Sequence, residues 1–326
     1  MSTIKDVAKL AEVAPSTVSR VLNGESKCAT EIVKKRIFDA AAKLNYVPSE
    51  AAKSLKKGKN VFSENRISIL FARNSSIEDN YFTDLARFVK REAIKSGCLL
   101  GEEYFGDEEI TPTKDEGLVV LGRPRTALNS FISKFGGRVV YVTLNKVGAN
   151  SDHVLCDGKE AAKCAMKYLF DKGHRKIAYI GEYSDEIRYV GYKEFLIENR
   201  LEIRSEYVIN TSMSVRGGKK GADELINLKE LPTAVFCAND LTAIGVMERL
   251  KELNVKIPEK ISVIGIDNIP RAEETDPLLT TVSVPTRELA HFAVLTLCDR
   301  LRGGHVIKSM TFLPPSLVVR DSVKKP

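Results

Sequence analysis

Apolar positions change their period along this chain of 326 residues, and the changes divide it. Ile4, Val7, Ala8 and Ala11 recur at i, i+3, i+4 and i+7, the spacing of one helix face, which predicts a first helix over 4–11. Val13-Ala14 breaks that pattern. Pro15, with its fixed φ and missing N–H, suits a first helical position and opens a second helix through Thr17, Val18, Val21 and Leu22. Thr30 can cap a third helix reaching about residue 44, with Ile32, Val33, Ile37, Ala40, Ala41 and Leu44 as its apolar stripe. Asn45-Tyr46-Val47-Pro48 ends it. Ser49 can then cap a short segment, 50–55, in which Ala51, Ala52 and Leu55 share a face ringed by Lys53, Lys56 and Lys57. A helix this short orders only against a partner surface; the alternative is a cationic linker, to which 56–60 belongs.

From Arg66 onward, β-rich runs alternate with helical ones. Strands are predicted at 67–72, 117–121, 139–144, 176–180, 234–237, 261–266 and 317–320, and helices at 82–96, 127–135, 158–172, 189–199, 217–228, 240–253 and 286–301. Such alternation argues for parallel strands joined by crossover helices, here as two α/β subdomains flanking a cleft. The expected organisation is a helical head over 1–47, a hinge helix and linker over 48–65, and a core over 66–326. Within the core, one subdomain takes about 66–155 and 286–308, the other about 156–285 and 309–326. Ligands bind such sheets outside the carboxyl ends of strands, so the residues just past each strand are the candidates.

Charge then points the head toward a partner. Residues 1–60 hold 12 Lys+Arg against 6 Asp+Glu, whereas the rest of the chain holds 38 against 37. The excess positive charge thus lies on the head, as binding a polyanion by counterion release requires. Ser16, Thr17, Ser19, Arg20 and Asn23 are short or forked hydrogen-bonding side chains, suited to base edges and phosphates at the start of a helix in a major groove. On spacing alone, that reading and an ordinary helical core stand about even. For 50–55, a minor-groove wedge and a plain linker likewise both stand.

Six cysteines, Cys28, Cys98, Cys156, Cys164, Cys237 and Cys298, show no CxxC and no histidine at metal spacing, so reduced core thiols and no bound metal or cofactor are expected. The start has no apolar signal region and no run of about 18 apolar residues occurs, which leads us to expect a cytoplasmic protein with no membrane partner. Nothing sets a nucleophile, a general base and an orienting group together. Gly217-Gly218-Lys219-Lys220-Gly221 lacks the spacing of a phosphate loop. An enzyme is therefore not expected.

Three blocks decide between the open readings of the head. Ile4-Lys5-Asp6-Val7-Ala8-Lys9-Leu10-Ala11, Ser16-Thr17-Val18-Ser19-Arg20-Val21-Leu22-Asn23-Gly24 and Leu44-Asn45-Tyr46-Val47-Pro48 closely resemble the amino-terminal signature of the lactose-repressor/galactose-repressor (LacI/GalR) family of bacterial transcription factors. The resemblance implies a helix-turn-helix DNA-binding headpiece with a hinge helix. It puts Pro15, Ser16 and Arg20 on base-reading positions and Leu55 on the leucine wedged into the operator's central step. Further contacts with double-stranded operator DNA are implied for Thr3, Ile4, Thr17, Ser19, Asn23, Thr30, Ala51 and Ala52. Two residues depart from the pattern: Glu12 stands at the turn position where the family usually has Gly, and Ala14 at the cap where it usually has Ser.

The core carries matching blocks as well, among them Gly173-His174-Arg175-Lys176-Ile177-Ala178, Ala238-Asn239-Asp240, Ile261-Ser262-Val263-Ile264-Gly265-Ile266-Asp267-Asn268 and Leu317-Val318-Val319-Arg320. They resemble the family's regulatory domain, which looks like a periplasmic sugar-binding protein. By that resemblance, pocket roles fall on Arg188, Asn239 and Asp267, on the pair Tyr81 and Phe82, and more weakly on Ser184 and Met213. Thr143 stands where many sugar-responsive members have Asp. An Arg fork, an amide and a carboxylate can satisfy several vicinal hydroxyls at once, and an aromatic face suits the apolar side of a sugar ring. Taken without the family, Arg188 reads as a surface cation, Asp267 as a turn-former and Asn239 as a helix cap. His174 is expected to be structural.

The run 115–124 and Asn268-Ile269-Pro270 look like the galactose and β-galactoside branch of the family. The expectation is a homodimeric repressor on a pseudo-palindromic operator, released by a galactose-type sugar effector. A global catabolite regulator, co-regulated by a phosphorylated carrier protein, is the alternative.

Overall fold

The computed structural model describes residues 3–22, 29–44, 65–72, 80–105, 111–148 and 151–326, and the chain divides into a unit of residues 1–63 and one of 64–326. Asn23, Ala51, Ala52, Leu55 and the hinge segment lie outside the described residues.

In the first unit, α1 (Ile4–Leu10), α2 (Pro15–Leu22) and α3 (Glu31–Lys43) enclose a core of Val7, Ala8, Ala11, Val18, Val21, Ile37, Ala40 and Ala41. The helical spacing placed most of this stripe correctly. Ile32 is the exception: it stands one position before Val33, about 100° round the helix, and is 75% exposed. Thr3 begins α1 with a reciprocal capping box. Its hydroxyl accepts from the Asp6 N–H at 3.4 Å, while the Asp6 carboxylate accepts from the Thr3 N–H at 2.7 Å. Glu12 adopts the left-handed conformation, φ 53°, that a glycine would take without cost. Arg36 of α3 holds this turn by donating to the Ala11 carbonyl at 2.7 Å and to the Glu12 carboxylate at 2.9 Å.

The second unit is built on two six-stranded sheets. The first contains β1 (Arg66–Phe71), β2 (Leu99–Tyr104), β3 (Glu116–Leu121), β4 (Val139–Thr143), β5 (Asp152–Cys156) and β11 (Met310–Leu313), in the order β11-β5-β4-β3-β1-β2. The second contains β6 (Ile177–Gly181), β7 (Val208–Asn210), β8 (Ala234–Cys237), β9 (Ser262–Asp267), β10 (Thr280–Ser283) and β12 (Ser316–Val318), in the order β12-β10-β9-β8-β6-β7. Central strands such as β3, β4 and β8 are buried at every residue, because helices cover both faces of each sheet. Those helices are α4 (Asn80–Lys95), α5 (Asn129–Ser133), α6 (Gly158–Asp171), α7 (Ile187–Glu198), α8 (Val215–Ile226), α9 (Asp240–Glu252) and α10 (Thr286–Leu301).

Three departures from the sequence pattern matter. Where one helix was expected over 127–135, a 3-10 turn (Thr126–Leu128) leads into the short α5. The last strand spans Ser316–Val318 rather than 317–320. β11 pairs in parallel with β5, Met310 opposite His153, so the chain stays with the first sheet past residue 309, where the return was expected. The lobes are therefore joined at three short crossings, between Cys156 and Gly158, between Ser283 and Thr286, and between Leu313 and Ser316.

Cys98, Cys156, Cys237 and Cys298 are buried, and the Cys98 and Cys298 sulfurs lie 3.2 Å apart. His174 bridges Thr233 and the Lys324 carbonyl, both at 2.8 Å, and burial depresses its pKa, so it serves as a neutral structural tie. Among the described residues, no helix is long and apolar enough to cross a membrane and no group of metal-ligating side chains occurs.

Candidate functional site

The head offers one polar face. Val18 and Val21 of α2 point into the core, leaving Pro15, Ser16 and Arg20 exposed and Thr17 and Ser19 half-buried. Thr30 is exposed before α3. Two expected contact residues have other partners: Ile4 packs against the head core, and the Thr3 hydroxyl donates to the Asp6 carboxylate at 2.7 Å.

In the core, the carboxyl ends of both sheets open on a cavity of about 210 Å³. That is below the ~300–1,000 Å³ of drug-sized sites, so it suits a small occupant. All eight cleft residues expected from the sequence line it: Tyr81, Phe82, Thr143, Ser184, Arg188, Met213, Asn239 and Asp267.

The first lobe supplies an apolar wall. Tyr81 and Phe82 leave the first turn of α4 with ring centroids 5.0 Å apart and planes at 81°. Gly122, just past β3, has φ 84°, and a Cβ there would fall 3.0 Å from the Phe82 ring; only glycine combines that conformation with that approach. Thr143 ends β4 and donates its hydroxyl to the Asn145 carbonyl at 2.6 Å.

Most of the charge comes from the second lobe, the first adding Arg123. Arg188, in the first turn of α7, is 7% exposed, so it is no surface cation. Its Nε donates to Glu186 Oε1 at 2.7 Å, its Nη2 to Glu186 Oε2 at 3.1 Å, and Nη2 also approaches the Met213 sulfur at 3.0 Å. Burial opposes the positive charge, but the Glu186 carboxylate outweighs it, with a smaller contribution from Asp267, and the guanidinium pKa is raised. Asn239 both lines the cavity and caps α9: its Oδ1 accepts from the Thr242 N–H at 3.0 Å and hydroxyl at 2.6 Å, and its Nδ2 donates to the Met213 carbonyl at 3.4 Å. Asp267 ends β9 at φ 115° and Asn268 follows at 56°, a left-handed stretch that holds the carboxylate at the strand end.

Behind this layer sits Asp240, fully buried. It accepts from the Thr281 hydroxyl at 2.5 Å and the Ile269 N–H at 3.0 Å. Burial pushes its carboxyl up to about 7, with the hydrogen bonds and, more weakly, the Arg320 charge opposing.

Sequence reading missed Glu186, Arg123 and Asp185. Glu186 sits two residues before Arg188 at a helix start, where an acidic cap is a recognisable pattern. Arg123 donates across the cleft to the Asp185 carbonyl at 3.0 Å, with the Asp185 carboxylate at 3.9 Å. No local spacing signals that contact, which spans 62 residues.

Comparisons with known proteins agree with both halves of this description. Residues 3–49 match the model of bacterial regulatory proteins of the lacI family, and residues 166–323 match a periplasmic binding protein-like domain. The chain is 31% identical over 340 residues to the HTH-type transcriptional repressor PurR of Vibrio vulnificus (strain CMCP6), covering 100% of this chain and 99% of that relative. Among solved structures, it resembles a cellobiose complex of the transcriptional regulator CelR (TM-score 0.70, 23% identity, 99% of this chain and 100% of that one). It also resembles a ribose-bound LacI family regulator from Enterococcus faecium (TM-score 0.69, 25% identity, 80% of this chain and 100% of that one). The chain therefore belongs to the LacI family of bacterial regulatory proteins and is a DNA-binding transcriptional regulator, not an enzyme.

Proposed function

We propose that this regulator is a cytoplasmic homodimeric repressor that holds a pseudo-palindromic operator through two heads and is controlled by a small sugar in the cleft. The observation that carries this reading is the cavity itself, in which the buried Arg188, Asn239 and Asp267 face Tyr81 and Phe82. Donors, an amide and a carboxylate on one side and a ring wall on the other match a polyol with one apolar face. A galactose-type sugar is the first candidate. For a shift in operator affinity, the sugar must bind one arrangement of the lobes better than the other. The Arg123–Asp185 contact spans the cleft, so opening the lobes would break it.

A second ligand class follows from the relatives named PurR, namely purine bases. A planar base is best held between parallel faces, whereas Tyr81 and Phe82 leave the same helix turn at 81° to each other. That geometry favours the sugar.

The test is a thermal-stability screen with galactose, lactose, allolactose, ribose, cellobiose, hypoxanthine and guanine, followed by operator binding with each hit. A sugar that raises Tm and changes operator affinity is the expected result. Stabilisation by a purine alone would overturn the sugar assignment, and operator affinity that responds only to a phosphorylated carrier protein would favour the catabolite-regulator alternative.

A further inference from the structure

Glu186, Asp267 and Arg188 are 7%, 9% and 7% exposed and line the same cavity. Without Glu186, the same place would be an anion site. The amino end of α7, a helix of 12 residues, presents backbone N–H groups and the positive end of its dipole, and Arg188 adds a forked donor beside them. Glu186 occupies both. Its Oε1 accepts from the Arg188 backbone N–H at 3.1 Å, and its two oxygens take the Arg188 side-chain donors at 2.7 and 3.1 Å. The chain thus fills with its own carboxylate the position that a ligand phosphate would take.

We infer that Glu186 is a specificity-determining residue, which makes this cleft accept uncharged polyols and turn away phosphorylated sugars. The inference rests on the cleft being the effector site. An incoming phosphate would have to displace Glu186 from Arg188 and then lie beside both Glu186 and Asp267, where little water screens the repulsion. A neutral hydroxyl meets no such barrier, and it finds Arg188 already fixed in one orientation by its neighbour.

The test compares wild type, Glu186→Gln and Glu186→Gln/Arg188→Gln by thermal shift and calorimetric titration with galactose, galactose 6-phosphate and inorganic phosphate at constant ionic strength. Gln keeps a capping oxygen for α7 while removing the charge; Glu186→Ser, with a shorter capping oxygen, carries the same test should the Gln variant not fold. Wild type is expected to respond to galactose and to neither phosphate. Glu186→Gln should bind both phosphates at least about tenfold more tightly than wild type, a gain of ~1.4 kcal/mol, and the double variant should lose that gain because the anion sits on Arg188. Wild type binding galactose 6-phosphate as tightly as galactose would overturn the assignment, as would a Glu186→Gln variant with no gain for phosphate. Should the phosphate gain appear while galactose binds no variant, the role of Glu186 stands and the choice of sugar falls.

Discussion

The two lobes of the core correspond strand for strand. β1, β3 and β4 occupy in the first sheet the places of β6, β8 and β9 in the second, and only the last strand of each differs, β11 running parallel to β5 and β12 antiparallel to β10. Equivalent strand ends nevertheless deliver unlike chemistry. Where the helix after β1 brings Tyr81 and Phe82, the helix after β6 brings Arg188; where β3 is followed by Gly122, β8 is followed by Asn239; where β4 ends on Thr143, β9 ends on Asp267. Topology places the cleft, and the residues at strand ends make one wall largely apolar, Arg123 apart, and the other charged.

The sharpest way to break this comparison is Arg188→Ala. On the proposed reading it removes the ligand's main donor, and it takes from the buried Glu186 its guanidinium partner, so the ligand-induced Tm rise should vanish and stability should fall by about 3–5 kcal/mol. Operator binding by the unliganded protein should survive. A variant that keeps its ligand response would show that the charged wall is not what holds the ligand.

Buried acids extend the contrast. Asp240 in the second lobe has hydroxyl and backbone donors and only a weak charge contribution from Arg320, and burial lifts its carboxyl to about 7. Asp152 in the first lobe is equally buried, yet its carboxyl falls to about 2: burial alone would raise it, but the Arg300 fork, the Ser309 N–H and His305 outweigh that. The signs are opposite. Asp240 has a folded pKa above its unfolded value, so stability present below pH 4 is lost as pH rises toward 7, by up to about 4 kcal/mol. Asp240→Asn should flatten urea-unfolding stability across that window. Asp152 has a folded pKa below its unfolded value, so its contribution, about 2 kcal/mol, is present above pH 4 and disappears as pH falls toward 2. Asp152→Asn should lose the acid-side slope; identical acid-side slopes in variant and wild type would refute the Arg300 explanation.

Smaller effects test the apolar wall and the bridge between lobes. Phe82→Ala should weaken sugar binding about tenfold in calorimetry, from lost ring contact, with little change in operator affinity. Arg123→Ala should shift ligand affinity by no more than about threefold, because the Arg123 and Asp185 side chains are 47% and 85% exposed and solvent screens them.

Much of this was legible beforehand, for identifiable reasons. The head's apolar spacing gave its helices, and the error at Ile32 was one of a single position on a helix whose stripe is narrow. The strands β1, β3, β4, β6, β8 and β9 announced themselves as continuous apolar runs. β5, β7 and β10 were missed because they are short and carry polar residues such as Asp152, Asn210 and Thr280-Thr281, and β2 because Leu99, Leu100, Glu102 and Glu103 are exposed along an edge strand. β11, four residues long with Met310 and Phe312 turned outward, was hidden for the same reason. Cleft residues that follow strands were found because strand ends locate ligands, and a family resemblance singled out which of them to name. Glu186 escaped because an acid near an arginine reads as a surface pair until both are known to be buried, and Arg123 because its partner lies across the cleft.

The threefold crossing between lobes has a mechanical consequence. A body tied by one strand can swing or twist in any direction, and a single protease cut would release it; one tied by three neighbouring strands keeps its alignment and can only bend about the line they share. A nick at any one of these ties leaves two intact, so the halves should remain together and in register after cleavage, and a change in the angle between them is a flexing along that seam.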